Sequence, residues 1–115
     1  MYTPGKITEA WLGEVKNVTV DAAFNGTRQL VAAVAGAKII VLAGWLICSG
    51  AAMDAVFKSA TTALTGTIEL AVGSIINLPF NEAGWLQTEA AEALNVTLGD
   101  HTPGLLSGWL RYIEV

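Results

Sequence analysis

The sequence predicts an all-β protein, an antiparallel β-sandwich of jelly-roll-like type with about eight strands and an extended N-terminal arm. Three observations carry that expectation. From Asn17 to Val115 the chain alternates short apolar stretches with Gly, Pro and Asn at nearly regular intervals, the spacing of strands joined by short turns. The central run Lys38-Ile-Ile-Val-Leu-Ala-Gly-Trp-Leu-Ile-Cys48 is apolar on both alternating faces, as expected of a strand covered on both sides. Hydrophobic residues make up 53% of the 115 residues and charged residues only 14%, against about 25% charged in typical soluble domains. A small monomer of this composition has too few polar groups to coat itself, so other protein is expected to cover part of its surface.

Taken in order, residues 1–15 form the arm and residues 16–115 the sandwich domain. In the arm, Pro4-Gly5 and Gly13 break local structure, and Ile7, Ala10, Trp11 and Leu12 are apolar without a clear period. Val18, Val20 and Ala22 alternate with Asn17, Thr19 and Asp21, a half-buried strand. Asn25-Gly26 signals a turn, Arg28 to Val34 a second strand and Ala35-Gly36 another turn. The buried strand spans Lys38 to Ser49, and Ser49-Gly50 turns into Met53–Lys58, where Met53, Ala55 and Phe57 share one face. Leu64, Ile68 and Leu70 alternate with Thr65, Thr67 and Glu69. Gly73 turns into a short strand, Ile75 to Leu78, and Pro79, Asn81 and Gly84 mark a loop around Phe80. Leu94, Val96 and Leu98 alternate again, Asp100–Gly104 is a loop, and Leu106–Ile113 closes the chain. Between Leu86 and Leu94 two readings stay open. Glu89-Ala-Ala-Glu-Ala-Leu94 has the composition of a short helix, while the surrounding pattern favours strand, turn and strand.

The formal charge is −4 with a pI of about 4.7, and Lys6, Lys16, Arg28, Lys38, Lys58 and Arg111 are scattered singly. No basic patch interleaved with aromatics is present, which argues against nucleic-acid binding. The apolar run Ile39–Cys48 is roughly half the length of a membrane helix and contains Gly44, so no membrane partner is expected. The opening Met1-Tyr2-Thr3-Pro4-Gly5 lacks the basic start and apolar stretch of a signal peptide. The one cysteine, Cys48, sits in the most apolar run and reads as a buried thiol packed like a small hydrophobe. With one cysteine there is no intrachain disulfide, and folding needs no oxidising compartment.

Candidate chemistry is sparse. His101, beside Asp100 in a turn-rich segment, has no second His or Cys near it in sequence and reads as an exposed turn residue. Glu82, Glu89 and Glu92 cluster in sequence, but two-carboxylate hydrolysis needs two of them facing a cleft with pKa values pushed apart. Asp100 with loop carbonyls is a weak Ca²⁺ pattern. Ser49, Ser59, Ser74 and Ser107 lack a nucleophile-elbow context, and no phosphate-binding glycine loop occurs. Asn17-Val-Thr, Asn25-Gly-Thr and Asn95-Val-Thr match a glycosylation pattern but read as strand and turn residues. No catalytic residue, cofactor or metal is expected. Trp45 reads as core. Trp85 and Trp109 read as core or subunit contact, and either ring exposed in a groove would instead favour a sugar-stacking platform.

The stretch from Lys38 onward resembles the head decoration (cement) proteins of phages, a group of small β-sandwich virion proteins. The resemblance rests on Lys38-Ile-Ile-Val-Leu42, Phe57-Lys-Ser-Ala-Thr-Thr-Ala-Leu-Thr-Gly66, Leu78-Pro-Phe-Asn81, Gly84-Trp85 and Glu92-Ala-Leu-Asn-Val-Thr-Leu98. The ending Gly108-Trp-Leu-Arg-Tyr-Ile-Glu-Val115 belongs to it too, and together it covers about two-thirds of the chain. Its motifs are structural, and similar β-modules occur in tail and fibre proteins. It implies a non-enzymatic protein on the outer surface of the phage head, made in the host cytoplasm, whose partner is the major capsid protein. A homo-oligomer is expected, a trimer ahead of a dimer. The candidate contact residues are Tyr2, Ile7, Trp11 and Leu12 in the arm and Phe80 and Trp85 in the loop. A receptor- or glycan-binding β-module of a tail or fibre is the alternative.

Overall fold

A computed structural model describes residues 15–22, 26–99 and 105–115 of the chain. Among the described residues there are ten strands and no helix: β1 (Lys16–Ala22), β2 (Gly26–Val31), β3 (Ile39–Ser49), β4 (Met53–Ser59), β5 (Thr62–Ala63), β6 (Ile68–Leu70), β7 (Ile75–Leu78), β8 (Leu86–Gln87), β9 (Leu94–Gly99) and β10 (Leu105–Glu114). They make two five-stranded antiparallel sheets. Sheet A has the order β1-β10-β3 with β7 and β8 end to end beside β3. Sheet B has the order β2-β9-β4 with β5 and β6 end to end beside β4.

This is jelly-roll connectivity. The first strand pairs with the last, β2 with β9, β3 with β7 and β8, and β4 with β5 and β6, as though one long hairpin were folded over on itself. The consequence is that neighbours in space are remote in sequence: Lys16 lies opposite Tyr112, and Gly26 opposite Leu98. β1 and β2 accordingly form no hairpin, because they belong to different sheets, and Asn25 of the expected turn lies outside the described residues.

The alternation read from the sequence sets the inner faces. Met53, Ala55, Phe57 and Ser59 of β4 are buried while Asp54, Val56 and Lys58 between them are half-buried, and β9 buries Leu94, Val96 and Leu98 in the same way. From sheet A, Val20, Val41, Leu46, Cys48, Leu106 and Leu110 face them, forming one continuous core. Full burial of side chains of this size stabilises by about 1.5–3 kcal/mol each, so this layer dominates the fold's energy.

Two glycines let sheet A pack this tightly. Gly44 occupies an inward position of β3, and a Cβ there would lie 2.6 Å from Leu110 Cδ2 and 3.0 Å from the Trp109 carbonyl oxygen. Gly108 in β10 has φ +145°, and a Cβ there would lie 1.8 Å from the Trp45 carbonyl oxygen. The pairing of β10 with β3 also shifts register between Arg111 and Tyr112, where Leu42 is the extra residue on β3. A bulge of this kind flips which side chains face inward.

Three expectations need correction. Trp45 is not in the core: it lies on the outer face of sheet A, half-buried, directly opposite Trp109 of β10. A run apolar on both faces cannot tell inward from outward, so residue type alone misplaced it. The second strand is Gly26–Val31 and stops before Ala32, and Leu64 lies in the connection between β5 and β6. The ambiguous segment Leu86–Leu94 is strand, turn and strand. Its helix propensity is overridden by local bonds: the buried Thr88 hydroxyl accepts the Ile39 N–H (2.9 Å), and the buried Ser59 hydroxyl accepts the Glu89 N–H (2.9 Å) while donating to Glu92 Oε1 (2.6 Å). Ala91 completes the turn with φ +62° and donates its N–H to the Ala37 carbonyl.

Candidate functional site

The sandwich has two unlike flanks. On one, β1 and β2 run unbroken for seven and six residues. On the other, both edges are interrupted: β7 and β8 leave a gap beside Leu42–Ala43, and β5 and β6 leave a gap beside Val56–Phe57. The segments spanning these gaps, 64–67 and 79–85, are not strand but make single backbone bonds to β4 and β3.

Each loop is held by its own chemistry. In the first, the Thr65 hydroxyl donates to the Gly66 carbonyl (2.8 Å) and accepts the Phe57 N–H (3.3 Å), while Leu64 N–H donates to the Phe57 carbonyl (2.8 Å). In the second, Asn81 Oδ1 accepts the Ala83 N–H (3.0 Å), an Asx turn. Trp85 Nε1 reaches back to donate to the Pro79 carbonyl (2.8 Å). Backbone bonds from Asn81 to the Leu42 carbonyl and from Trp85 to the Val41 carbonyl pin the loop along β3.

Between the two loops opens an apolar pocket of about 220 Å³. Phe57 of sheet B and Leu110 of sheet A, both buried, are its floor. Ile76, Leu78 and Leu86 line the sheet A side, and Thr65 and Ile68 the sheet B side. The Trp85 ring, 44% exposed, stands at the mouth, with Phe80 exposed in the same loop.

A second feature lies on the outer face of sheet A. Register aligns Thr19, Trp109, Trp45 and Asn77 across four strands, with Asp21, Ser107, Ile47 and Ile75 in the next outward row. Trp109 and Ile75 are exposed, and Trp45 and Ile47 half-buried, giving an apolar ridge. Arg111 lies over the Trp109 ring, 5.7 Å from its centroid, and donates to Asn17 Oδ1 (3.0 Å). Cation–π contact at such exposed sites contributes about 0.5–1 kcal/mol.

Of the candidate contact residues, Phe80 and Trp85 are brought together on the broken flank and are exposed. Tyr2, Ile7, Trp11 and Leu12 lie outside the described residues, as do Asp100 and His101. Of the acidic residues, Glu92 accepts a bond from Ser59, Glu89 lies in the same turn, and Glu82 lies in the 79–85 loop. Among the described residues no group of three His, Cys, Asp or Glu could hold a metal, and no helix is long and apolar enough to cross a membrane. A shallow depression of about 420 Å³ brings Asp54 and Glu69 directly opposite each other on sheet B. Cys48 is fully buried, donates to the Ala51 carbonyl (3.3 Å), and its thiol is pushed above its ordinary range by desolvation.

The sequence reading missed the Trp109–Ile75 ridge. A signal existed for Trp109, which shares its face of β10 with Ser107 and Arg111, both polar companions of an outward face. For Trp45 none existed, since its companions Ala43 and Ile47 are apolar. No model of a known protein family matches the chain, and a search of curated proteins finds no match.

Proposed function

We propose that this chain is a structural protein of a phage virion: a head decoration protein that binds the outside of the capsid and stabilises it by bridging major capsid subunits. The observation that carries the reading is the amount of apolar and aromatic surface left uncovered in one molecule. Trp109, Ile75, Phe80 and Trp85 are all more than two-fifths exposed, in a chain with few charges to keep it soluble. Exposed aromatics of this kind anchor protein interfaces. The jelly-roll architecture, which recurs in capsid and lectin domains, and the resemblance of the stretch from Lys38 onward support the same reading. Bridging works by adding buried area that must be lost before the shell opens. A homo-oligomer, a trimer ahead of a dimer, would sum several weak bridges through effective concentration.

The test uses purified phage heads lacking the protein. Adding it should saturate the outer surface and raise the temperature at which heads release DNA. Double substitution Ile75→Ser and Trp109→Ser should leave the domain folded and lower occupancy at least tenfold. Unchanged occupancy, together with unchanged binding by a Phe80→Ser and Trp85→Ser variant, would overturn the reading.

A glycan- or receptor-binding module of a tail or fibre is the second reading, and one observation favours it. Trp109 is exposed among hydrogen-bonding side chains, with Arg111 over its ring, Thr19 directly opposite and Asn17 bonded to Arg111, an arrangement in which a sugar ring can stack and be hydrogen-bonded. Binding to host surface polysaccharide that is lost on Trp109→Ala, with no affinity for heads, would replace the first reading by this one.

A further inference from the structure

We infer that the pocket between the two broken edges is a binding site for a compact apolar molecule the size of one ring, aromatic or aliphatic. This inference is independent of where the protein acts.

Size comes first. At about 220 Å³ the space exceeds the roughly 150 Å³ apolar cavity known to take up benzene in another protein. It falls below the roughly 300–1,000 Å³ of pockets for drug-sized ligands. Access comes second. The pocket opens at the flank, where neither edge strand is continuous, so a guest enters without separating the sheets.

The chemical class follows from the polar atoms. Only two lining residues carry polar side-chain atoms, and both are already committed. Thr65 Oγ1 donates to Gly66 and accepts from Phe57, and Trp85 Nε1 donates to Pro79. No side-chain donor of the lining is left, and the one spare acceptor is the second lone pair of Thr65 Oγ1, so almost any polar group buried there loses its water without replacement. An apolar guest gives up no hydrogen bond by entry and covers the exposed parts of Ile68, Ile76, Leu78 and Leu86.

The site also has a structural basis. Gly44 places no side chain between Leu110 and Leu78, so both border the space a Cβ would take, and Thr65 and Trp85 line the pocket from the two loops. A guest would touch both sheets at once, beside the connection by which the chain passes from β6 to β7.

The experiment is a titration of the full chain with benzene, and separately with cyclohexane, followed by ¹H–¹³C methyl and aromatic NMR. Shifts should concentrate on Phe57, Ile68, Ile76, Leu78 and Leu110 for both probes, and the thermal midpoint should rise with probe concentration. Ile68→Phe and Ile76→Phe, which fill the space from opposite walls, should each weaken binding at least tenfold. No shift at probe saturation overturns the proposal, as do shifts centred on Trp109 or filled variants that bind as well as the parent. Should both filled variants fail to fold, the location of the parent's shifts decides the matter alone.

Discussion

Sheet A turns Trp45, Trp109, Ile47 and Ile75 outward, whereas sheet B turns Asp54, Lys58, Asn95 and Thr97 outward. Their inner faces are alike, built from the same aliphatic alternation and sharing one core. Thr27 and Thr97 hydroxyls bond across β2 and β9 (2.7 Å), and Lys58 stands beside Asn95, as expected of a sheet facing water. The apolar excess of the composition is therefore not spread evenly. Its exposed aromatic part gathers on sheet A and at the loop carrying Phe80 and Trp85, which is why the proposed contacts lie there.

The sharpest way to break sheet A is at Gly108. Its φ of +145° and the 1.8 Å approach of a would-be Cβ to the Trp45 carbonyl leave no room for relaxation. Gly108→Ala should cost about 3 kcal/mol or more, read as a lowered denaturation midpoint. A loss under about 1 kcal/mol would mean that β10 can shift against β3.

The comparison of faces is sharpened by two adjacent residues. Leu46 is fully buried and Trp45 half-buried on the opposite face. Leu46→Ala should cost about 2–5 kcal/mol, while Trp45→Ala should cost only about 1 kcal/mol, on the scale of a cross-strand aromatic pair. Equal losses would show that the outer face is packed like a core.

A smaller effect follows from Cys48. Burial raises its thiol pKa in the folded state, so the unfolded chain releases its proton at lower pH than the native one. Stability from this residue is full below the ordinary thiol range and declines as pH rises through the folded value. Denaturation curves should show that decline above the ordinary thiol range, and Cys48→Ala should flatten it. Thiol reagents should label Cys48 only on unfolding, and rapid labelling of the native protein would contradict its burial.

The smallest change concerns sheet B. Asp54 and Glu69 stand directly opposite each other, a like-charge pair that destabilises a sheet. Glu69→Lys should stabilise by about 0.2–1 kcal/mol, with the gain shrinking as salt is added. An unchanged midpoint at low salt would show the two carboxylates to be fully screened.

How much of this was legible in the sequence depends on how local the cause is. The inner face of β4 was readable because Met53, Ala55 and Phe57 recur at every second position with Asp54 and Lys58 among the residues between, and Cys48 because the run before it, residues 39–47, is apolar throughout. The jelly-roll pairing was not, since no residue near Lys16 specifies Tyr112 as its partner. Leu86–Leu94 stayed ambiguous because what excludes a helix there is Ser59, some thirty residues upstream. The pocket was invisible for a similar reason: it exists only where two interrupted edges, one in each sheet, come opposite one another.

The place of β10 has a consequence for synthesis. The strand lies between β1 and β3 and contributes Leu106, Leu110 and Ile113, all fully buried. Until it leaves the ribosome, β1 has no partner, one long side of β3 is unpaired, and the sheet B core faces water. The nascent chain therefore cannot close its sandwich stepwise as it emerges. Folding becomes downhill only once Leu105–Glu114 has emerged, and Ile39–Cys48 waits through that interval as an aggregation-prone apolar segment. A chaperone that shields this stretch until β10 arrives should raise the yield of folded protein.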